Sequence, residues 1–287
     1  PRLFAWMENV VEFPTTDAAD LKAAPFFHTG IAAAAKTDGR AGDGLITMAN
    51  LSEAQQVTLY NHAAFQLVAG TLDPVADIGD VIIVSNYAKV HERNLVVTTF
   101  QDQLLARRYN ETEVHPHIAV LTGQATDPTS LAQPVIAPKE QIHMRKIVGT
   151  LFAKHRLPVP RKVDNVEFVK LTDFSVVHAM LKDANLFRVA GRSVEPVALD
   201  GQYIITHPVA MTSAAIVQLD GRLVIAVDDN GVRYLKRFRP RGQFVILESL
   251  NPDGMTSAEL LSFGDEEGLP KLTALMEVAG ILFELPS

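Results

Sequence analysis

The chain has 287 residues, with 26 Lys and Arg against 33 Asp and Glu, a formal net charge of −7. That balance excludes a surface that grips nucleic acid along its whole extent, and the absence of Cys excludes disulfide scaffolds, thiol catalysis and Cys-ligated zinc or iron–sulfur centres. Hydrophobic residues make up 47%, enough for packed cores, yet no window approaches the ~18 consecutive apolar residues of a membrane span.

At about 150 residues per domain the length suggests two domains. The opening Pro1-Arg2-Leu3-Phe4 leads to Glu8 and Glu12, not to a basic-then-apolar leader, so the expected location is cytoplasmic, with no membrane partner. Residues 1–55 read as an N-terminal segment, partly flexible, in which Ala32 to Gly44 is rich in alanine and glycine. A helix is predicted from Leu51 to Ala64 after the cap residue Asn50. Short β-branched runs follow at Val81–Val84, Leu95–Val97 and Ile118–Leu121, each too short for a buried helix and bounded by Gly, Pro, Asp or Asn. Ser175 to Ala184 carries a helical pattern. Strands are predicted again at Leu223–Val227 and Phe244–Leu247, and a last helix at Ser257–Phe263. The expected class is mainly β with a few short helices.

The halves of the chain resemble each other. Phe65-Gln66-Leu67-Val68-Ala69-Gly70-Thr71-Leu72-Asp73-Pro74 precedes Asp77-Ile78-Gly79-Asp80, and Phe187-Arg188-Val189-Ala190-Gly191-Arg192-Ser193-Val194-Glu195-Pro196 precedes Leu199-Asp200-Gly201-Gln202. The offset is 121 at the first glycine (191 − 70) and 122 at the proline (196 − 74), so the first copy reads as one residue shorter there. Leu104-Leu105-Ala106-Arg107-Arg108-Tyr109 matches Tyr234-Leu235-Lys236-Arg237-Phe238, and Lys146 to Phe152 matches Val278 to Phe283. Four blocks in one order imply tandem domains, 56–155 and 156–287, joined near Arg156-Leu157-Pro158-Val159-Pro160.

The second copy carries a candidate chemistry. Ser193 lies in a turn at the end of an apolar strand, and Lys236 lies on a strand whose Tyr234 and Phe238 share its face. Burial between aromatics disfavours an ammonium, and a neutral lysine can take the proton of a serine hydroxyl. Sequence spacing alone does not bring the two within reach. In the first copy Thr71 or Leu72 stands where the serine would be and Ala106 where the lysine would be, so that copy reads as degenerate.

The second copy also resembles the C-terminal domain of LexA-like and phage-type repressors, which shares its fold and Ser-Lys dyad with signal peptidases. The resemblance is carried by Gly191-Arg192-Ser193-Val194-Glu195-Pro196, Asp200-Gly201, Lys236-Arg237, Asn251-Pro252 and Gly280, over about residues 165–287. It implies two LexA-like β domains, with Ser193 as nucleophile and Lys236 as general base of a self-cleaving peptidase. It also implies dimeric self-association, a protein co-regulator, and contact with DNA only through a module upstream of Pro1. Such repressors cut themselves at a small dipeptide; Ala41-Gly42 is the candidate here, and Pro1 reads either as an end left by processing or as a mere boundary. The alternative is a non-catalytic dimerising or sensing module; a third reading is a peptidase acting on other proteins.

No cofactor or metal is expected. His115-Pro116-His117 after Glu111 and Glu113 lacks a third spaced ligand, and Gly39-Arg40-Ala41-Gly42-Asp43-Gly44 matches neither a phosphate loop nor a dinucleotide fingerprint. The cluster Arg233, Lys236, Arg237, Arg239 and Arg241 reads as a solvated basic face, and no helix-turn-helix is evident.

Overall fold

The computed structural model describes residues 46–49, 62–125, 132–158, 161, 164–171, 175–182, 184–189, 191–251 and 257–285. The fold is mainly β, with antiparallel strand pairing throughout the named strands. The chain divides into two compact units, one built on Ser52–Met180 with Glu284 onward, the other on Leu181–Phe283 with a segment that includes the first described strand, β1 (Ile46–Ala49). The division falls at Met180–Leu181, later in the chain than the proline-bearing stretch Arg156–Pro160.

The first unit contains β2 (Ala63–Leu67), β3 (Val81–Val84), β4 (Leu95–Phe100), β5 (Gln103–Glu111), β6 (Ile118–Thr122), β7 (Val135–Pro138), β8 (His143–Leu151) and β9 (Phe168–Lys170). They are hydrogen-bonded in the order β9-β2-β3-β8-β4-β5-β6-β7. Its core holds the fully buried Leu67, Leu72, Ile82, Leu121, Ile147, Leu151 and Phe168, whose ring meets that of Phe65 edge-on with centroids 5.2 Å apart. Such edge-to-face geometry suits the quadrupoles of the two rings.

Helix α1 (Ser175–Leu181) leads on to the second unit, which contains β10 (Asn185–Val189), β11 (Tyr203–Pro208), α2 (Ser213–Gln218), β12 (Leu223–Asp228), β13 (Arg233–Arg241), β14 (Phe244–Glu248), β15 (Glu259–Ser262) and β16 (Leu272–Leu282). Its order is β1-β10-β11-β16-β12-β13-β14-β15. This repeats the first unit strand for strand, with β1 taking the outer place that β9 takes there. In each unit one long strand serves two neighbours. β8 pairs with β3 through Leu151–Ile147 and with β4 through Lys146–His143; β16 pairs with β11 through its later residues and with β12 through its earlier ones. Val224, Ala226, Phe238, Val245, Leu247, Leu261, Leu272 and Leu275 form the core under β12 to β15.

Most of the predicted strands are present, and so is the helix at Ser175. Two helix expectations are corrected. Ser257–Phe263 is not helical: Glu259–Ser262 is a strand, with Leu261 buried opposite Val245 and Leu260 turned outward. Alternation of inside and outside, set by pairing with β14, overrides the helix propensity of Ala-Glu-Leu-Leu. Ala63 and Ala64, expected at the end of a helix, open strand β2; the rest of that expectation, Leu51 to Asn61, lies outside the described residues. Helix α2 went unpredicted; Thr212 caps it, its hydroxyl accepting from Ala215 N–H. Among the described residues no helix is long and apolar enough to cross a membrane.

Candidate functional site

The Ser193 turn is built by backbone hydrogen bonds. Val194 O accepts from Val197 N at 2.9 Å and from Ala198 N at 3.2 Å, and the Glu195–Pro196 peptide is cis. Past it, Gln202 N donates to Leu199 O at 3.1 Å, which places Gly201 at φ +81°, a left-handed position where glycine carries no Cβ penalty. Ser193 itself is buried, as is Val194.

Three donors converge on the Ser193 carbonyl: Ser249 Oγ at 2.9 Å, Leu250 N at 3.0 Å and Asn251 N at 3.3 Å. Asn251 Nδ2 also donates to Arg192 O at 2.9 Å. The register of β13 with β14 ends at Arg237 opposite Glu248, so the next residues along are Lys236 and Ser249. The serine turn is therefore fastened to the residues that follow β14, whose last pair, Glu248 with Arg237, stands one residue from Lys236. Lys236 is buried on β13, its Nζ donating to Ser257 O at 2.6 Å and lying 3.9 Å from Glu259 Oε1. The hydrogen bonds described for Ser193 all run through its backbone carbonyl.

Tyr234, on the same face of β13, donates its hydroxyl to Asp228 Oδ2 at 3.0 Å, and burial together with that carboxylate pushes the phenol pKa well up. Asp228 Oδ1 accepts from Asn230 N and Val232 N and so closes the β12–β13 hairpin. The basic cluster is paired in part: Arg239 lies 3.2 Å from Glu248 and 3.3 Å from Asp220.

The first unit carries the same turn. Leu72 O accepts from Val75 N at 2.9 Å and Ala76 N at 3.2 Å, Asp73–Pro74 is cis, and Thr71 O accepts from Gln124 N at 2.7 Å. Leu67 O accepts from Gly79 N just as Val189 O accepts from Gly201 N. These pairs correspond at a constant offset of 122 (193 − 71, 201 − 79), so the first copy lacks no residue; Thr71 takes the place of Ser193 and Leu72 that of Val194. Gly70 and Gly191 are identical letters at different steps of the turn: Gly191 has φ +98°, whereas Gly70 is not among the positive-φ glycines.

Strand register likewise corrects the position matching Lys236. Val224 pairs with Glu277 and Lys236; Val96 pairs with Lys146 and Arg107. Arg107, not Ala106, stands where Lys236 stands. Adjacent apolar and basic residues slide past each other in a sequence match, but a one-residue slip in a strand turns every side chain to the other face.

Sequence reasoning missed what this pair does. Arg107, only 4% exposed, forms an ion pair through Nη1 with Glu167 Oε2. The same oxygen accepts from Ala106 N at 2.8 Å, and the Thr71 hydroxyl, 3.4 Å from it, donates to Ala106 O at 3.1 Å. A guanidinium stays protonated at any ordinary pH and cannot serve as a base, so Thr71 and Arg107 do not form a nucleophile–base pair. The signal was present in Val166-Glu167-Phe168-Val169, a run of β-branched and aromatic residues interrupted by one carboxylate.

Of the other readings, His115 and His117 meet edge-on with centroids 6.0 Å apart, and among the described residues no group of three or more His, Asp or Glu could hold a metal. Ala41-Gly42 lies outside the described residues. No protein-family model, curated protein or solved structure matches the chain.

Proposed function

We propose that the chain is the regulatory portion of a LexA-like transcriptional repressor whose second unit is a Ser-Lys self-cleaving peptidase. In this reading Ser193 Oγ attacks a peptide carbonyl of the chain itself, unprotonated Lys236 takes the hydroxyl proton and returns it to the leaving amine, and backbone N–H groups of the turn hold the oxyanion. The carrying observation is the anchoring of the Ser193 turn, through its carbonyl, to Ser249 and Leu250, which follow the strand paired with that of Lys236, with Ser193 and Lys236 both buried. Before acting as a base Lys236 must give up the proton it shares with Ser257 O.

The substrate is an extended segment added to the sheet, the mode in which β1 already lies on β10, with Ile46 opposite Val189. Ala41-Gly42 precedes that strand by a few residues. Self-association, a co-regulator and an upstream DNA-binding module belong to the same reading.

The test is incubation of the purified chain at raised pH, where lysine loses its proton, with fragments followed on a gel and by mass spectrometry. Fragments that vanish in Ser193→Ala and in Lys236→Ala support the peptidase. A chain that stays intact for days refutes it and leaves the second reading, a non-catalytic module. That reading is favoured by the carbonyl and carboxylate already beside the Lys236 ammonium.

A further inference from the structure

The segment after the first unit's last long strand does not leave that unit directly. Leu104 N donates to Asn165 O and Glu167 N to Leu104 O, both at 2.9 Å, giving a parallel bridge between Val166 and the start of β5. Val68 N then donates to Glu167 O, and Phe168, Val169 and Lys170 pair antiparallel with Leu67, Gln66 and Phe65 of β2. From the turn at Asn165 (φ +62°), Val166–Lys170 thus runs from β5 to β2, bending at Glu167, which reaches both Thr71 and Arg107.

Two side chains anchor it. Phe168 is fully buried. Glu167 places one oxygen on two donors, the Arg107 guanidinium and the Ala106 N–H, with the Thr71 hydroxyl 3.4 Å away. Arg107 Nε is buried and has no hydrogen-bond partner, so the guanidinium depends on this carboxylate for its charge compensation. A cation and an N–H aimed at one oxygen, with a hydroxyl beside them, form a carboxylate-binding pocket, and the backbone on either side forms a peptide-binding groove.

We propose that the first unit is a peptide receptor: the positions that match Ser193 and Lys236 have become a pocket for a glutamate side chain, and the chain's own Asn165–Lys170 fills the groove as a tethered ligand. The proposal holds whether or not Ser193 and Lys236 hydrolyse anything, since none of its groups belongs to the second unit. The ligand is defined by chemistry: a peptide with a carboxylate residue followed directly by a large apolar one.

The test uses the full chain in two variants, Glu167→Gln and one with residues 165–170 replaced by a Gly-Ser repeat of equal length. A fluorescent peptide covering residues 164–171 is added in trans and its anisotropy measured. Tethering gives the native segment an effective concentration near millimolar, so the unmodified chain should bind the added peptide at least tenfold more weakly than either variant. A peptide with Gln in place of Glu should bind at least tenfold more weakly than its parent, and Arg107→Met in the replaced chain should remove that preference. Should a variant fail to fold alone, the peptide should restore its cooperative melt, because a ligand specific for the folded state stabilises it. Absence of binding and of rescue at millimolar peptide overturns the proposal, and so does equal binding of the Glu and Gln peptides.

Discussion

Removing either partner of the Arg107–Glu167 pair should cost more than removing both, most of all when the carboxylate is the one removed. The Arg107 side chain is 5% exposed and that of Glu167 13%. In Glu167→Gln the guanidinium keeps its burial and loses its counter-charge, a situation that costs about 3–5 kcal/mol. Arg107→Met leaves the carboxylate with the Thr71 hydroxyl and the Ala106 N–H, and its somewhat greater exposure lets it relax toward water, so about 2 kcal/mol is expected. The double variant carries no buried charge, and the Gln carbonyl still accepts from Ala106 N–H; its cost should fall to about 1 kcal/mol. The coupling between the two sites is then about 4–6 kcal/mol. Urea unfolding alone mixes the two units, so the cycle is read by amide hydrogen exchange of β4 and β5 peptides at graded urea. If the two single costs simply add in the double variant, the pair is not coupled and the reasoning fails.

Further outcomes follow from the described contacts. His62 is buried, and desolvation lowers its pKa from 6.5 to about 4, against a smaller opposing effect of Glu284. The unfolded chain therefore binds the extra proton between those values. Stability should fall as the pH drops from 6.5 toward 4, by about 3 kcal/mol in all, and His62→Gln should flatten the melting temperature across that range. Phe168→Ala empties a fully buried site against Phe65 and should cost about 3–5 kcal/mol, seen as loss of exchange protection in β2. Asp228→Ala removes the acceptor of Asn230 N, Val232 N and the Tyr234 hydroxyl; a loss of about 2–3 kcal/mol, measured by exchange in β12 and β13, is expected, with Tyr234→Phe costing about 1.

The strands were legible because runs such as Val81-Ile82-Ile83-Val84 combine β-branched residues with flanking turn residues, signals that act within a few positions. The kinship of the two turns was legible for the same reason, since Pro74 and Pro196, like Gly79 and Gly201, mark fixed local geometry. The register was not. Whether Ala106 or Arg107 faces the Thr71 turn depends on how β4 meets both β5 and β8, and those pairings join residues up to fifty positions apart. Leu260-Leu261 misled toward a helix because two adjacent leucines fit either period, and only pairing with β14 decides which one is buried. Glu167 escaped notice because its partners, Thr71 and Arg107, lie 96 and 60 residues away.

The outer strand of the second unit is donated from far upstream: β1 ends at Ala49, and β10, to which it bonds, begins at Asn185. The main stretch of the first unit, Ser52–Met180, is threaded between them in the order of synthesis. A ribosome must therefore make Ser52–Met180 before β10 can meet its border strand, so the second unit matures with high contact order. A fragment begun at Leu181 would bare β10 along its length, and a bare border of that kind recruits strands from neighbouring molecules. Shortened versions of this protein should clump unless the four residues Ile46–Ala49 are restored to them.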